Sequence, residues 1–417
     1  MKNKSITNNL IYYLFCGFSG TIITLIIWLF LKAMSIGINF IWDFIPQKFE
    51  FKFYPIVVCT IGGLILGIFQ KCTKAVPDDL DTVMYKIKTE NFYPYNNVIL
   101  ICISALLALI FGGSIGPEAG LTGVIAGLCY WAGDNMKYAR KHIPDLTQLG
   151  LSTVLSAIFC SPLFGLIAPV ESDTDTDENS DIIKSTKTLS NIIAIIFSIG
   201  TLYFLNTLFG GSIGLPHIGV TNITNTERIW GIPLAILGMF CGFLFIVFER
   251  VTDITFSKLK KMGIILNTIL GGIILGVAGT YIPFVMFSGE ESITEIQMVY
   301  KEYAPWLLIT SGVLKLLITN ICIKSGWKGG HFFPVIFCGV IIGYGIGMLF
   351  GINLAFCAAL ITAGLLGATM KKPLAVTLLL LLCFDVSIIP WILLAAFIGS
   401  LIPTKKPKTE DTANEKQ

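Results

Sequence analysis

Two short segments hold the residue types from which an anion site can be built without metal or cofactor. Gly112-Gly113-Ser114-Ile115-Gly116-Pro117 and Gly329-Gly330-His331-Phe332-Phe333-Pro334 share the spacing Gly-Gly-x-x-x-Pro. Proline is favoured in the first turn of a helix, where its missing N–H was unpaired anyway. Glycine lets backbone approach a ligand closely. The free amides of such a helix start then face the ligand, with the positive end of the dipole behind them. That arrangement binds an anion without a full cation, which would hold the ion too tightly for rapid release. One copy alone reads as a break between close-packed helices. Two copies point to an anion site, because matched breaks in two halves of a membrane protein mark a binding site near the midplane. The candidate residues are Gly113, Ser114, Ile115 and Gly116 in the first copy, and Gly330, His331, Phe332 and Phe333 in the second.

Several neighbours carry charge. Glu118 follows Pro117 and fits two roles, compensation of the helix dipole or a movable gate and proton acceptor. His331 either titrates near neutral pH or makes a single backbone hydrogen bond. Lys371 and Lys372, just before Pro373, either draw anions inward or anchor the chain at the interface. Asp385, the lone charge of the last apolar stretch, is expected to cap a break near Pro390. Glu290, Glu291 and Glu295 read as a solvated loop. Asp173, Asp175 and Asp177 open like a calcium loop, but Glu178 stands where the turn needs glycine and Lys184 where a bidentate glutamate is needed. A solvated acidic connector over Glu171 to Asp181 is the expectation instead.

These residues sit in a chain built for lipid. Of 417 residues, 54% are hydrophobic and 13% charged, and the mean hydropathy is +0.78; a soluble domain carries about 25% charged residues. Apolar stretches recur at Ile11 to Leu31, Asn97 to Phe111, Asn191 to Phe209, Ile229 to Phe248, Ile264 to Ile282, Trp306 to Ile323 and from Pro373 towards Pro390. A span needs about 20 residues. The shorter pieces therefore predict half-spanning helices, tolerated only where they line a protein-walled cavity. The first stretch follows Lys2 and Lys4, is too long for a signal peptide and lacks a clear cleavage site, so it is expected to be retained. With Lys405, Lys406 and Lys408 at the other end, and Lys137, Arg140 and Lys141 in a loop, the positive-inside rule puts both termini in the cytoplasm. The net charge of +3 singles out no partner, and nothing points to nucleic acid. The 11 cysteines lie mostly in apolar stretches and read as small buried hydrophobes. No metal-type spacing or catalytic cluster occurs, so neither a cofactor nor an enzymatic reaction is expected.

A second internal match follows the first. Ala157-Ile158-Phe159-Cys160-Ser161-Pro162-Leu163 and Ala368-Thr369-Met370-Lys371-Lys372-Pro373-Leu374 both read Ala-x-x-x-x-Pro-Leu. Two matches in the same order predict an internal repeat, parallel or inverted. The expected architecture is an all-α integral membrane domain over residues 1–403, with halves of about 1–212 and 225–403. A polar, cytoplasmic tail, 404–417, is expected to be disordered.

With these motifs in hand, the chain resembles the CLC chloride channel and transporter family. Gly113-Ser114-Ile115-Gly116-Pro117 is similar to that family's Gly-Arg-Glu-Gly-Pro signature, Gly330-His331-Phe332-Phe333-Pro334 to its Gly-x-Phe-x-Pro, and Phe159 to Gly165 to its Phe-Asn-Ala-Pro-Leu-Ala-Gly. The resemblance covers nearly the whole membrane domain. It implies an inverted repeat of many tilted, partly re-entrant helices, a homodimer with one pore per subunit, and a small anion such as chloride held by helix N-termini. In this alignment the family's gating glutamate falls at Ile115, which can neither gate nor carry protons. The first family signature, Gly-Ser-Gly-Ile-Pro, maps onto Thr73-Lys74-Ala75-Val76-Pro77, with Thr73 left to supply a hydroxyl. The inner proton glutamate falls at Ser172, beside Glu171, and the late pore tyrosine has no counterpart. The expectation is therefore passive chloride flow across a plasma membrane. The alternatives are a proton-coupled exchanger using Glu118 or Glu171, a carrier of fluoride or another anion, and a non-conducting membrane scaffold.

Overall fold

The computed structural model describes residues 2–48, 51–90, 92–136, 143–171, 181–210, 214–219, 221, 223–259 and 263–403. The aspartates of the rejected calcium loop, the basic residues 137–141 and the tail 404–417 lie outside them.

Sixteen described α-helices fall into two series of eight. The first is α1 (Lys2–Ile38), α2 (Tyr54–Thr73), α3 (Leu80–Glu90), α4 (Val98–Ile110), α5 (Glu118–Asn135), α6 (Ile143–Phe159), α7 (Pro162–Ile167) and α8 (Asp181–Phe209). The second is α9 (Asn225–Leu259), α10 (Ile264–Tyr281), α11 (Glu290–Val299), α12 (Pro305–Ser325), α13 (Phe332–Phe350), α14 (Leu354–Met370), α15 (Pro373–Leu380) and α16 (Ile389–Ser400). The packing repeats as well. Helix α1 lies on α4, α6 and α8, and α9 lies on α12, α14 and α16; α5 packs on α6 as α13 packs on α14. Backbone details match too. Gly112 and Gly326 both take positive φ (89° and 108°), as do Cys160 and Lys371 just before Pro162 and Pro373.

The repeats are inverted. Helices α2 and α10 form the most extensive contact between the halves. A Cβ on Gly63 of α2 would meet Thr268 and Ile269, and one on Gly67 would meet Ile265; a Cβ on Gly272 of α10 would meet Cys59, and one on Gly276 would meet Ile56. As one helix advances, its contacts on the other retreat, so the pair is antiparallel. Glycine is what permits this closeness: a Cβ on Gly272 would lie 2.2 Å from the Cys59 carbonyl oxygen.

Seven described helices are long and apolar enough to cross a membrane, and four more are apolar but shorter. The long apolar stretches extend further than expected, because polar turns at their ends continue the helix: Ile11 to Leu31 lies within α1 and Ile229 to Phe248 within α9. The stretch from Pro373 to Pro390 is instead two helices, separated at Leu381 to Ile388. Asp385 caps no helix there. Its Oδ2 accepts from the Thr221 amide (2.6 Å) and hydroxyl (2.9 Å), which hold the carboxyl below its usual range. With the Ile218 amide donating to the Cys383 carbonyl at 2.7 Å, this docks the link between the halves. Glu290, Glu291 and Glu295 belong to α11 rather than a loop, because Ile293 and Ile296 bury one face of it.

Gly272→Leu should therefore separate α2 from α10, lowering the melting temperature in detergent by the equivalent of about 1–3 kcal/mol of overpacking or abolishing recovery of folded protein. Gly200→Ala, where a Cβ meets nothing within 4 Å, should leave the melt unchanged or raise it.

Candidate functional site

Besides the α2–α10 contact, the two halves are joined by an antiparallel bridge. The Gly116 amide donates to the Gly330 carbonyl (2.7 Å) and the Gly330 amide to the Gly116 carbonyl (2.8 Å). Two residues beyond each glycine a helix begins, α5 at Glu118 and α13 at Phe332. Beyond these starts the two helices do not pack along each other.

This bridge corrects the register expected from the sequence. The repeated Gly-Gly-x-x-x-Pro pattern pairs Gly113 with Gly330. The structure pairs Gly116 with Gly330 and Gly112 with Gly326, a slip of three residues. Hence Gly116-Pro117-Glu118-Ala119-Gly120, not Gly113 to Pro117, stands opposite Gly330-His331-Phe332-Phe333-Pro334. The carboxylate at these opposed helix starts is that of Glu118. Gly113, Ser114 and Ile115 precede the helix and serve the wall. The Gly113 amide donates to the Ala108 carbonyl (3.0 Å), the Ser114 hydroxyl is 3.1 Å from that of Thr319, and the fully buried Ile115 fills the space beside Gly329.

Glu118 is 1% exposed. Its Oε1 accepts from the Phe332 amide at 2.7 Å, the length of a charge-assisted bond. The amides of Phe333 and of Glu118 itself also bear on the carboxylate. Two glycines make room for it: a Cβ on Gly116 would lie 2.0 Å from Oε2, and one on Gly330 would lie 2.0 Å from the carboxylate carbon. Oε2 is buried and has no hydrogen-bond partner among the described residues. The ring of Phe333 stacks on Phe159 at 4.7 Å, and Phe332 lies beside His331 at 4.7 Å. His331 also packs on Phe245 at 5.5 Å.

A cavity of about 230 Å³ lies beside this point, with Leu80, Met84, Phe164, His331, Phe332 and Lys372 in its wall. The lysines before Pro373 divide their tasks. Lys372 lines the cavity and donates to the Ala168 carbonyl at 2.9 Å, while Lys371 donates to the carbonyls of Ser400 and Ile402. Thr73 is not brought to the cavity, since its hydroxyl donates to the Phe69 carbonyl at 2.8 Å and accepts from the Ala75 amide at 3.2 Å. Lys74 is exposed at the end of α2. The first half instead lines the cavity with α3. Glu171 also lies elsewhere: its two oxygens accept from the Leu374 (3.0 Å) and Ala375 (2.7 Å) amides at the start of α15.

One residue of the surroundings escaped the sequence analysis. Lys315 is fully buried in α12 and donates to the carbonyls of Val285 (3.1 Å), Met286 (2.9 Å) and Phe287 (2.9 Å). A lone cation in an otherwise apolar span was the available signal.

Residues 58–404 match the family model described as voltage gated chloride channel. The chain is 24% identical over 365 residues to the voltage-gated ClC-type chloride channel ClcB of Escherichia coli, covering 82% of each chain. It is 26% identical over 382 residues to an uncharacterized protein of Methanocaldococcus jannaschii, covering 90% of each. In fold it is similar to a slow cyanobacterial chloride/proton antiporter, with a TM-score of 0.78 and 17% identity over 93% of each chain. A CLC-type fluoride/proton antiporter gives 0.72 and 17% over 96% of each. With the bridged helix starts and this match over most of its length, the chain is a multi-pass membrane protein of the voltage-gated chloride channel family.

Proposed function

We propose that this protein carries chloride or a similar small anion across the plasma membrane, through a site that Glu118 occupies until the carboxylate leaves. The observation that carries this is the Glu118 carboxylate lying on the Phe332 amide at 2.7 Å, with one oxygen unpartnered. A carboxylate there imitates the transported anion, and the two compete for the same amides. Protonation removes the charge that holds the side chain at the helix start, so a falling pH frees the site. Anion movement is thereby linked to protons through Glu118.

Passive conduction is a second reading, favoured by one observation. Both oxygens of Glu171 are engaged by backbone amides, which suits a helix cap better than an inner proton acceptor. A homodimer with one such site per subunit is the assembly the family resemblance implies, and the positive-inside rule puts both termini in the cytoplasm.

Reconstituted vesicles test the role of Glu118. Wild-type anion efflux should rise several-fold between about pH 7 and about pH 4.5, across the carboxyl range. Glu118→Gln should be fast at both and flat between them. A variant that keeps the wild-type pH profile sinks the gate. Proton uptake measured in the same vesicles separates exchange, in which Glu118→Gln abolishes it, from passive conduction, in which the wild type shows none.

Glu171→Gln should lower stability by about 1 kcal/mol, as expected for a weakened cap, and leave proton uptake at the wild-type level. Loss of proton uptake in a folded Glu171→Gln protein would restore Glu171 as a proton carrier.

A further inference from the structure

Lys315 has no relative exposure, and its three ammonium hydrogens are all used by three neutral carbonyls. Among the described residues it makes no ion pair. Carbonyls orient a buried ammonium but leave its charge uncompensated, and such a charge inside a membrane span is costly. Its surroundings lead to the Glu118 site along three routes. Phe287, whose carbonyl takes the ammonium, donates its amide to the Gly112 carbonyl at 3.2 Å. Thr319, one turn along α12, meets the Ser114 hydroxyl at 3.1 Å. The Phe337 ring, 5.4 Å from the ammonium, belongs to α13, whose Phe332 amide donates to the Glu118 carboxylate.

We propose that Lys315 is the fixed counter-charge of the anion site, stabilising whichever anion lies at the starts of α5 and α13, the Glu118 carboxylate or the transported ion. It is a positioning residue. With its donors saturated it touches neither anion, so it raises affinity without clamping the ion, as rapid release requires. The inference rests on the helix starts being an anion site, and not on Glu118 being a gate.

Calorimetric titration of purified protein with chloride tests it, alongside a thermal melt. Lys315→Gln keeps donors for the carbonyls and removes the charge; Lys315→Met removes both. Each should weaken chloride binding about tenfold, roughly the effect of losing one unit charge that acts across a partly screened interior. The loss should appear equally in a Glu118→Gln background, where the competing carboxylate is gone. This separates it from the gate: an unaltered pH profile in Glu118→Gln sinks the gate alone, whereas an unchanged chloride Kd in a folded Lys315→Gln protein overturns the counter-charge. If neither neutral variant folds alone, combination with Glu118→Gln should restore folding by removing both charges. Failure of the double variant to fold would show a purely structural lysine and also overturn the proposal.

Discussion

A negative charge in the middle of a membrane must be held by something weaker than a salt bridge, or it will not leave. The Gly116–Gly330 bridge meets that constraint. It draws two helix starts together so that amides of both converge on one point, each bringing a fraction of a charge. Glycine is required at both positions, because any Cβ would occupy the volume of the carboxylate. The flanking rings of Phe159, Phe332 and Phe333 add apolar walls, in which the few donors act in a low dielectric.

The inverted repeat supplies this convergence economically. A helix that stops half-way leaves unpaired amides in the membrane interior, which only a protein-walled cavity tolerates. One such helix needs a second to close the cavity around it. A twofold relation gives both from one pattern, and the antiparallel α2–α10 contact fixes the relation with glycines that admit backbone to backbone. The halves have since diverged where they carry charge. Glu118 at the start of α5 corresponds to Phe332 at the start of α13, so one half supplies the carboxylate and the other the amides that receive it.

Much of this was legible in the sequence. Composition and apolar stretches sufficed for the membrane class, and the paired Pro162 and Pro373 motifs mark equivalent helix starts at α7 and α15. The glycine pattern located the site but misplaced its register. In a chain with 41 glycines, Gly112-Gly113 and Gly329-Gly330 match by spacing alone, while the true pairing, Gly116 with Gly330, depends on hydrogen bonds between segments 214 residues apart. Thr73 failed for a different reason: a hydroxyl at the end of a helix finds backbone partners within its own turn. Lys315 was passed over because one cation does not interrupt the hydropathy of an apolar span.

Glu118 and Glu171 show how one interaction serves two ends. Each carboxylate lies on the start of a helix in the other half of the chain, α13 for Glu118 and α15 for Glu171. Glu171 gives both oxygens to consecutive amides at the start of α15. Glu118 gives one oxygen to Phe332 and leaves the other without a partner among the described residues, in a space kept open by two glycines and next to Phe332, which lines the cavity. A satisfied carboxylate is a cap. A half-satisfied one, buried where water has been excluded, costs free energy for as long as it remains charged. That cost is lowered by a proton on the free oxygen or by departure of the side chain in favour of a smaller anion. Under the proposed function, the incomplete hydrogen bonding of Glu118 is what makes its place at the helix starts exchangeable.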